Sequence, residues 1–375
     1  MVSAGFHPAM GGAEKQALEL SLALKERGVA VRVLTRRLNG LAEAEDVRGV
    51  AVTRLWCAGR GLLNSASFLW SLWRWLRLQA ATYDVIHVHL AGSPAVAAAL
   101  AGRLSGKRVI VKLGGGRGIG ELAASSRTAA GRLKLLALRI LKPQFVAVAR
   151  ELAQESASYL GEVPLHVVPN GVDTAVYQPV GRGQKAVLRS RLGWPSGGLC
   201  FLYVGRFSPE KRLPMFLEAW AESVKRGSAG AFAAFVGEGV EGQVLSEAAR
   251  RARLPGQVFV HAPMQDVAAA YGAADVFVLP SVSEGLSNSL LEAMSSGLAV
   301  LASRVGGTKE AVIEGESGFL FAPQEPDELR RQLRKLLERP ELAVRMGESA
   351  RRAALERYSM EKVAETYENL YRWGL

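Results

Sequence analysis

Two glutamates, Glu284 and Glu292, lie eight residues apart directly after the apolar segment DVFVLP. In an open α/β sheet a ligand binds outside the carboxyl ends of the strands, where such a loop begins. If the whole stretch were helical, the two carboxylates would be separated by about 12 Å along the axis and rotated by about 80°. A paired-carboxylate glycosidase needs roughly 5 to 10 Å. With Glu284 in the loop, the two acids can instead bracket an elongated ligand; the alternative is a loop acid and an exposed helix acid.

Ser287, between the two glutamates, is predicted to cap the helix that contains Glu292, because serine oxygens readily accept a first-turn N–H. The free N–H groups and the positive dipole end of that helix would then face a phosphate or sugar oxygen.

A second group of charged residues follows the apolar segment FLYV, namely Arg206 and Lys211 after Gly205. Glycine permits a close backbone approach, arginine offers a planar fork of donors to phosphate oxygens, and lysine adds a point charge. Together these residues suit a diphosphate. The alternative is a solvated basic turn in which Arg206 pairs with Glu210.

His87 and His89 alternate along the segment DVIHVHL, and we expect their side chains on opposite faces of a strand. His89 lies nearer the C-terminal end of that strand and is therefore the candidate for a ligand cleft. A packed structural histidine is the alternative.

The stretch from Phe68 to Arg77 contains Trp70, Trp73 and Trp75 together with two arginines at helical spacing. Amphipathic helices rich in arginine and tryptophan lie in membrane interfaces. The alternative is a surface helix whose wide apolar face packs on a sheet.

Net charge and composition limit the classes of molecule that we expect the protein to bind. The net charge is +12, with 22 basic and 12 acidic residues up to Gln178 and 25 and 23 after it. No RNP-type aromatic motif, zinc-finger spacing or long basic run accompanies this excess, so we expect no nucleic-acid partner. An anionic membrane face or a phosphate-bearing acceptor fits the charge.

The two cysteines, Cys57 and Cys200, cannot build a disulfide framework or a four-ligand zinc site. We therefore expect a cytoplasmic protein with no metal ligands, with no secretory signal and no membrane-spanning segment. A peripheral location on the inner face of the membrane is compatible with this expectation.

Short β-branched runs alternate with longer helical patterns, which predicts parallel sheets with helices on both faces. A length of 375 residues suits two domains. The linker-like segment from Gln178 to Gln184 sets the predicted limits at 1–178 and 179–357, followed by a C-terminal helix over 358–375. Only Met1 to Ser3 precede the first loop, so we expect a short first strand or a chain that begins late.

Six motifs occur together in an order and spacing that resemble glycosyltransferase family 4, the retaining group 1 enzymes of GT-B architecture. They are Gly11-Gly12-Ala-Glu14, Asp84-Val-Ile-His-Val-His89, Val168-Pro-Asn-Gly-Val-Asp173, Val204-Gly-Arg-Phe-Ser-Pro-Glu-Lys211, the Glu284/Glu292 pair and Val305-Gly-Gly307. The resemblance implies two Rossmann-like parallel-sheet domains with a cleft between them. The first would serve the acceptor and the second the nucleotide sugar, and the last helix would pack back toward the first.

The resemblance also implies roles for individual residues. Arg206 and Lys211 would bind the donor diphosphate, Glu292 the nucleotide ribose and Glu284 the transferred sugar. Further donor contacts would come from the backbone at Leu286 and Ser287, from Gly12 in the N-terminal loop and from the loop His261-Ala-Pro-Met264.

One departure from the family pattern follows the segment Val109 to Leu113, where many members place a histidine near the sugar. This chain instead has the glycine-rich run Gly114-Gly-Gly-Arg-Gly-Ile-Gly120. Lys112 and Arg117 are the nearest cations and are candidates for the sugar or acceptor side. Either cation can equally end a strand or be solvated.

The implied activity is transfer of a sugar from a nucleotide-diphosphate sugar to a saccharide or lipid-linked acceptor, without metal or cofactor. A UDP-sugar is expected in preference to a GDP-sugar. Two alternatives stay open: an epimerase-like enzyme acting on the nucleotide sugar without an acceptor, and a non-catalytic scaffold in a glycan assembly complex.

Overall fold

The computed structural model describes residues 1–9, 11–116, 118–224, 230–251 and 257–374. Within these residues, strands and helices alternate along the chain. The strands are β1 Arg32–Arg36, β2 Ala44–Val47, β3 Val50–Leu55, β4 Val85–His89, β5 Arg108–Leu113, β6 Gln144–Ala147, β7 Leu165–Val167, β8 Cys200–Val204, β9 Phe232–Val236, β10 Val258–His261, β11 Val276–Leu279, β12 Ala299–Ser303 and β13 Gly318–Phe321.

The helices lie between these strands and at the C-terminal end of the chain. They are α1 Gly12–Glu26, α2 Gly61–Leu78, α3 Ser93–Ser105, α4 Glu121–Ser126, α5 Ala129–Leu141, α6 Arg150–Leu160, α7 Arg182–Leu192, α8 Leu213–Val224, α9 Gly242–Arg251, α10 Val267–Ala273, α11 Asn288–Ser295, α12 Thr308–Ala311, α13 Pro326–Glu338, α14 Glu341–Ala353 and α15 Met360–Trp373. Among the helices that the structure describes, none is both long and apolar enough to cross a bilayer.

The chain folds into two compact units. The first contains residues Met1–Gly171 and Met360–Leu375, and the second contains Val172–Ser359. The division lies at Gly171, before the predicted limit at Gln178, because Val172 already pairs with Ser359 in the second unit. The segment predicted as a linker instead leads directly into α7.

In the first unit, Val2 bridges Leu34 of β1 and Val88 of β4 in parallel. The resulting strand order is β2, β3, β1, Val2, β4, β5, β6, β7, and only β2 runs antiparallel. The first strand is therefore short, as predicted. Helix α15 covers one face of this sheet, where Tyr367 and Leu370 join a core with Leu20 of α1.

The second unit contains one parallel sheet with the strand order β10, β9, β8, β11, β12, β13. All residues of β9, β11, β12 and β13 are buried, as expected for a parallel sheet covered by helices on both faces. The adjacency of β8 and β11 brings together the loops that follow them, which carry the predicted charged motifs.

Candidate functional site

The loop after β8 begins at Gly205, whose φ of +152° favours glycine. A second glycine loop, after β9, packs directly against it: a Cβ atom on Gly237 would lie 1.9 Å from the carbonyl oxygen of Gly205. The amide of Phe207 donates to the carbonyl of Glu238 in that second loop. Gly237 was not among the predicted site residues, although its position directly after the apolar run of β9 was a usable signal.

Arg206 is exposed, and its side chain forms no ion pair with the residues that the structure describes. No ion pair joins Arg206 to Glu210, whose carboxylate accepts a 2.6 Å hydrogen bond from Ser208. The buried hydroxyl of Tyr203 donates to the Arg206 carbonyl at 2.9 Å. Tyr203 therefore fixes the backbone while the guanidinium stays available for an anion.

Lys211 and Glu284 form an ion pair, with 2.6 Å between Lys211 Nζ and Glu284 Oε1. The fully buried Ser281 donates to the same oxygen, also at 2.6 Å. Both contacts hold a carboxylate that is only 10% exposed. One Glu284 oxygen is thus fixed by two donors, and Ser281 is a residue of this cluster that the sequence analysis missed.

The backbone of the Glu284 loop rests on the predicted glycine pair. A Cβ atom on Gly306 would lie 1.8 Å from the Glu284 carbonyl oxygen, and one on Gly307 would lie 2.4 Å from that of Gly285. The Gly307 amide also donates to the Gly285 carbonyl at 2.6 Å. Side chains at these two positions would push the loop away, which explains the motif Val305-Gly-Gly307.

Ser287 caps α11 as predicted, and its hydroxyl accepts from the amide of Leu290. Leu286 is buried beside the cap. The N-terminal end of α11 therefore lies directly after the Glu284 loop, with its positive dipole end at the same edge of the sheet.

Glu292 lies in the second turn of α11 and is buried at 6% exposure. The fully buried Tyr271 of α10 donates to Glu292 Oε2 at 2.8 Å. Burial, together with the negative charge of Glu292, raises the pKa of Tyr271 well above its usual range, so the phenol remains a donor. The exposed helix acid considered as an alternative is therefore wrong, and Tyr271 is a second missed residue.

Met264 is half-buried in the loop that joins β10 and α10. The same loop starts at His261, whose carbonyl accepts from Gly237 and whose ring accepts from the Trp194 indole at 2.8 Å. This loop is thus connected to the second glycine loop beside Gly205.

Gly12 is exposed at the start of α1 in the first unit. The Glu14 carboxylate accepts from the Gly11 amide at 3.0 Å and lies against Gly5. The motif Gly11-Gly12-Ala-Glu14 therefore folds the N-terminal loop around its own glutamate.

His87 and His89 lie on the same face of β4, which corrects the expectation of opposite faces. Their rings stack with centroids 4.5 Å apart, because residues two positions apart in a strand project to one side. Both rings are buried, and His87 Nδ1 lies 2.6 Å from the Tyr371 hydroxyl of α15. Burial lowers the pKa of both histidines well below the usual value.

Lys112 of β5 pairs in register with His89 and lies in the same layer. Its ammonium is 5.8 Å from the centre of the Tyr367 ring, and burial lowers its pKa to about 7. His89 and Lys112 are thus neighbours under α15. Arg117, the other predicted cation, lies outside the described residues.

The glycine-rich run after β5 is held by carboxylates of the chain itself. The amides of Gly114 and Gly115 donate to the two oxygens of Glu121, each at 3.1 Å, and the Gly118 amide donates to Glu155. Glu121 was not identified from the sequence, although it directly follows the last glycine of the run.

Family models match both parts of the chain. Residues 10–176 match the model described as Glycosyltransferase Family 4, and residues 184–353 match that described as Glycosyl transferases group 1. The chain belongs to glycosyltransferase family 4. The protein is accordingly a glycosyltransferase, as the resemblance implied.

Curated relatives include an N-acetyl-alpha-D-glucosaminyl L-malate synthase of Bacillus anthracis, 27% identical over 78% of this chain and 75% of that protein. A D-inositol 3-phosphate glycosyltransferase of Frankia alni is 29% identical over 91% of this chain and 89% of that protein. Other relatives are matched over 39% to 54% of their own length.

Among solved structures, Anabaena HepE in complex with UDP superposes with a TM-score of 0.79 at 19% identity, covering 98% of this chain and 97% of that chain. This likeness shows the GT-B fold predicted from the sequence. In the residues that the structure describes, no three His, Cys, Asp or Glu side chains are grouped to hold a metal ion.

Proposed function

We propose that this family 4 glycosyltransferase transfers a sugar from a UDP-sugar to a saccharide or lipid-linked acceptor with retention of configuration. The observation that supports the proposal best is the grouping of Arg206, Lys211, Glu284 and Glu292 at one edge of the second sheet. Two cations and a helix N-terminus suit the diphosphate, and the two fixed carboxylates suit the hydroxyl groups of the sugar and ribose.

The donor would be bound as the resemblance implies. Arg206 and Lys211 would contact the diphosphate, with further contacts from Leu286, Ser287 and the Met264 loop. Glu284 would accept from the sugar hydroxyls through the oxygen that Lys211 and Ser281 leave free. Glu292, oriented by Tyr271, would bind the ribose.

In the proposed reaction, the bond between the anomeric carbon and the diphosphate oxygen breaks, and the electron pair stays on the leaving diphosphate. The acceptor oxygen bonds to the same face of the sugar, and its proton passes to the leaving phosphate. The protein's task is to stabilise charge that develops on the diphosphate, and preorganised cations do this effectively. Arg206 and Lys211 would perform this task without a metal ion.

The relatives support this choice of substrates without fixing it. Anabaena HepE has been solved with UDP and with UDP-glucose. The Bacillus anthracis relative is named for an alpha-D-glucosaminyl product, as retention from an α-configured donor would give. The acceptors in the relatives' names, L-malate and D-inositol 3-phosphate, are both anionic.

The experiment is a titration with UDP and GDP by calorimetry, followed by a screen of nucleotide sugars for hydrolysis in the presence and absence of EDTA. We expect binding of UDP in preference to GDP, and hydrolysis that EDTA does not abolish. Binding of neither nucleotide would contradict the proposal and favour a scaffold. Epimerised nucleotide sugar as the product would favour the epimerase-like alternative.

A further inference from the structure

Three neighbouring helices of the first unit, α2, α3 and α5, form a layer with an unusual charge content. Helix α3 packs between α2 and α5. Together the three helices contain six arginines or lysines, namely Arg74, Arg77, Arg103, Arg132, Lys134 and Arg139, and no aspartate or glutamate. The ionisable side chains that these three helices themselves contribute are therefore all basic.

Helix α5 also exposes a stripe of large apolar side chains. Leu133, Leu136 and Ile140 are 68%, 50% and 61% exposed, and their spacing places them on one side of the helix. Leu135 and Leu138 on the other side are buried. The inner face thus already satisfies the packing of the fold, and the outer stripe is not needed for it.

Exposed leucines also occur near the C-terminal ends of the two adjacent helices. Arg103 of α3 donates to the Ile140 carbonyl at 3.3 Å, so these ends of α3 and α5 are adjacent, and Leu104 beside Arg103 is exposed. Arg77 of α2 donates to Ser105 of α3 at 2.9 Å, so the ends of α2 and α3 are adjacent, and Leu78 beside Arg77 is exposed. We define the α2–α3–α5 patch as the apolar residues Leu78, Leu104, Leu133, Leu136 and Ile140 with the six basic residues of the three helices.

The tryptophans of α2 extend this surface only in part. Trp70 is 56% exposed, and the Arg74 guanidinium lies 5.7 Å from the centre of its ring. Trp73 and Trp75 are half-buried, while Phe68, Leu72 and Leu76 form the packed face. One face of the helix is thus packed, as in the second alternative considered for it, and most of the exposed apolar surface lies outside the Trp/Arg stretch.

We propose that the α2–α3–α5 patch is a docking surface for an anionic lipid bilayer. Exposed leucines between arginines suit a membrane interface, where apolar side chains insert among acyl chains and arginines contact lipid phosphates. A second copy would bring two basic surfaces together, which is unfavourable. A nucleic acid would leave the aliphatic stripe without a partner, since bases stack on aromatic rings.

This inference deepens the proposed function, because an enzyme docked on a bilayer would take an acceptor that is itself held in the membrane. Only this statement about the acceptor rests on the proposed function. The patch contains none of the residues assigned to the donor. Helix α5 follows the glycine-rich run through α4, so docking would bring that run close to the lipid head groups.

The test measures co-sedimentation of the full chain with vesicles of phosphatidylglycerol and phosphatidylcholine, and with phosphatidylcholine alone. We expect binding to the anionic vesicles only, and weaker binding at high salt. The combined variant Arg74→Gln with Arg132→Gln should bind about 30-fold more weakly, from about 1 kcal/mol for each basic residue. The combined variant Leu136→Ser with Ile140→Ser should bind more weakly at both salt concentrations.

The matched control is Val240→Ser with Val344→Ser, two exposed residues of the second unit that should leave vesicle binding unchanged. UDP titration of every variant separates the two proposals, because patch variants should keep full UDP affinity. The inference is overturned if the unaltered protein ignores anionic vesicles at low salt, if both vesicle types bind equally, or if patch and control variants behave alike. A concentration-dependent dimer that only the patch variants lose, without vesicle binding, would identify a second copy as the occupant.

Discussion

Three hydrogen-bond donors orient the two glutamates that are proposed to bind the donor sugar nucleotide. Ser281 and Lys211 fix one oxygen of Glu284, and Tyr271 fixes one oxygen of Glu292. The motif predicted the acids, but the residues that orient them come from separate segments. In contrast to these two acids, Arg206 is exposed and lacks an ion-pair partner among the described residues.

Replacing either predicted diphosphate ligand should weaken UDP binding. Arg206→Ala and Lys211→Ala each remove a charge-assisted contact, which costs about 1.5 to 3 kcal/mol. Lys211→Ala should also lower turnover, because it leaves Glu284 with Ser281 alone. Calorimetry measures the UDP affinity. The control is Arg251→Ala, which removes a highly exposed arginine of the same unit. Unchanged affinity in both variants would remove the diphosphate assignment.

The two glutamates should differ in their kinetic effects. Glu284→Gln should lower kcat more than UDP affinity, because Glu284 is assigned to the sugar. Glu292→Gln and Tyr271→Phe should both weaken UDP binding, because the second variant removes the hydrogen bond that orients Glu292. The decisive measurement repeats the titration with 2′,3′-dideoxy-UDP. If Tyr271→Phe weakens binding of that analogue as much as binding of UDP, the ribose assignment is wrong.

At the scale of elements, the donor-site loops are shaped by backbone contacts between glycine-containing segments. The loop after β8 meets the loop after β9, and the Glu284 loop meets Gly306 and Gly307. Such contacts exclude side chains, so each glycine pair sets the distance between two loops.

Gly306→Ala should therefore destabilise the protein and weaken UDP binding. Gly306 has a φ of +47° and its Cβ would meet the Glu284 carbonyl, so we expect about 1 to 3 kcal/mol from the clash in addition to backbone strain. Gly315→Ala is the matched control, because Gly315 also has a positive φ but no atom within 4 Å of the added Cβ. Thermal unfolding and calorimetry measure both effects. If Gly315→Ala lowered stability and UDP affinity as much as Gly306→Ala, the contact with the Glu284 carbonyl would not be the cause.

The stacked histidines under α15 should make stability depend on pH. Burial lowers the pKa of His87 and His89 in the folded state, so below about pH 6.5 the unfolded chain binds more protons and stability falls. Above that pH both states are neutral at these rings and the contribution is constant. The unfolding temperature measured from pH 7.5 to 5 should show this fall, and His89→Leu should make it shallower. The Met1 ammonium, whose pKa is lowered by burial to about 5, contributes to the remaining slope. An unchanged slope in the variant would show that other groups cause the fall.

At the scale of the whole molecule, charge and function are divided between the two units. The first unit has 24 basic and 14 acidic residues, a net charge of +10, and the second has 23 and 21, a net charge of +2. The excess of positive charge thus lies in the unit that carries the α2–α3–α5 patch. The proposed acids and diphosphate ligands all lie in the other unit.

The segment Val172–Ser359 is continuous and should fold alone and bind UDP, because it contains Arg206, Lys211, Glu284 and Glu292 with their orienting residues. A chain that ends at Ser359 should have a less stable first unit, because it lacks the α15 residues that cover His87 and complete the core with α1. Circular dichroism and UDP titration of both chains test this. An isolated segment that folds without binding UDP would place essential donor contacts in the first unit.

The sequence by itself determined the α/β class, the capped helix at Ser287 and the family, because these depend on local periodicity and on motifs contiguous in the chain. Strands such as β2 and β7 were not predicted, because they are short and polar or exposed and lack a buried apolar run. The tertiary structure alone decided that Tyr271 orients Glu292 and that Ser281 fixes Glu284, that His87 stacks on His89 beneath α15, and that α2, α3 and α5 share one basic surface. Each of these depends on which segments become neighbours when sheets and helices pack, and a pattern along the chain does not specify that.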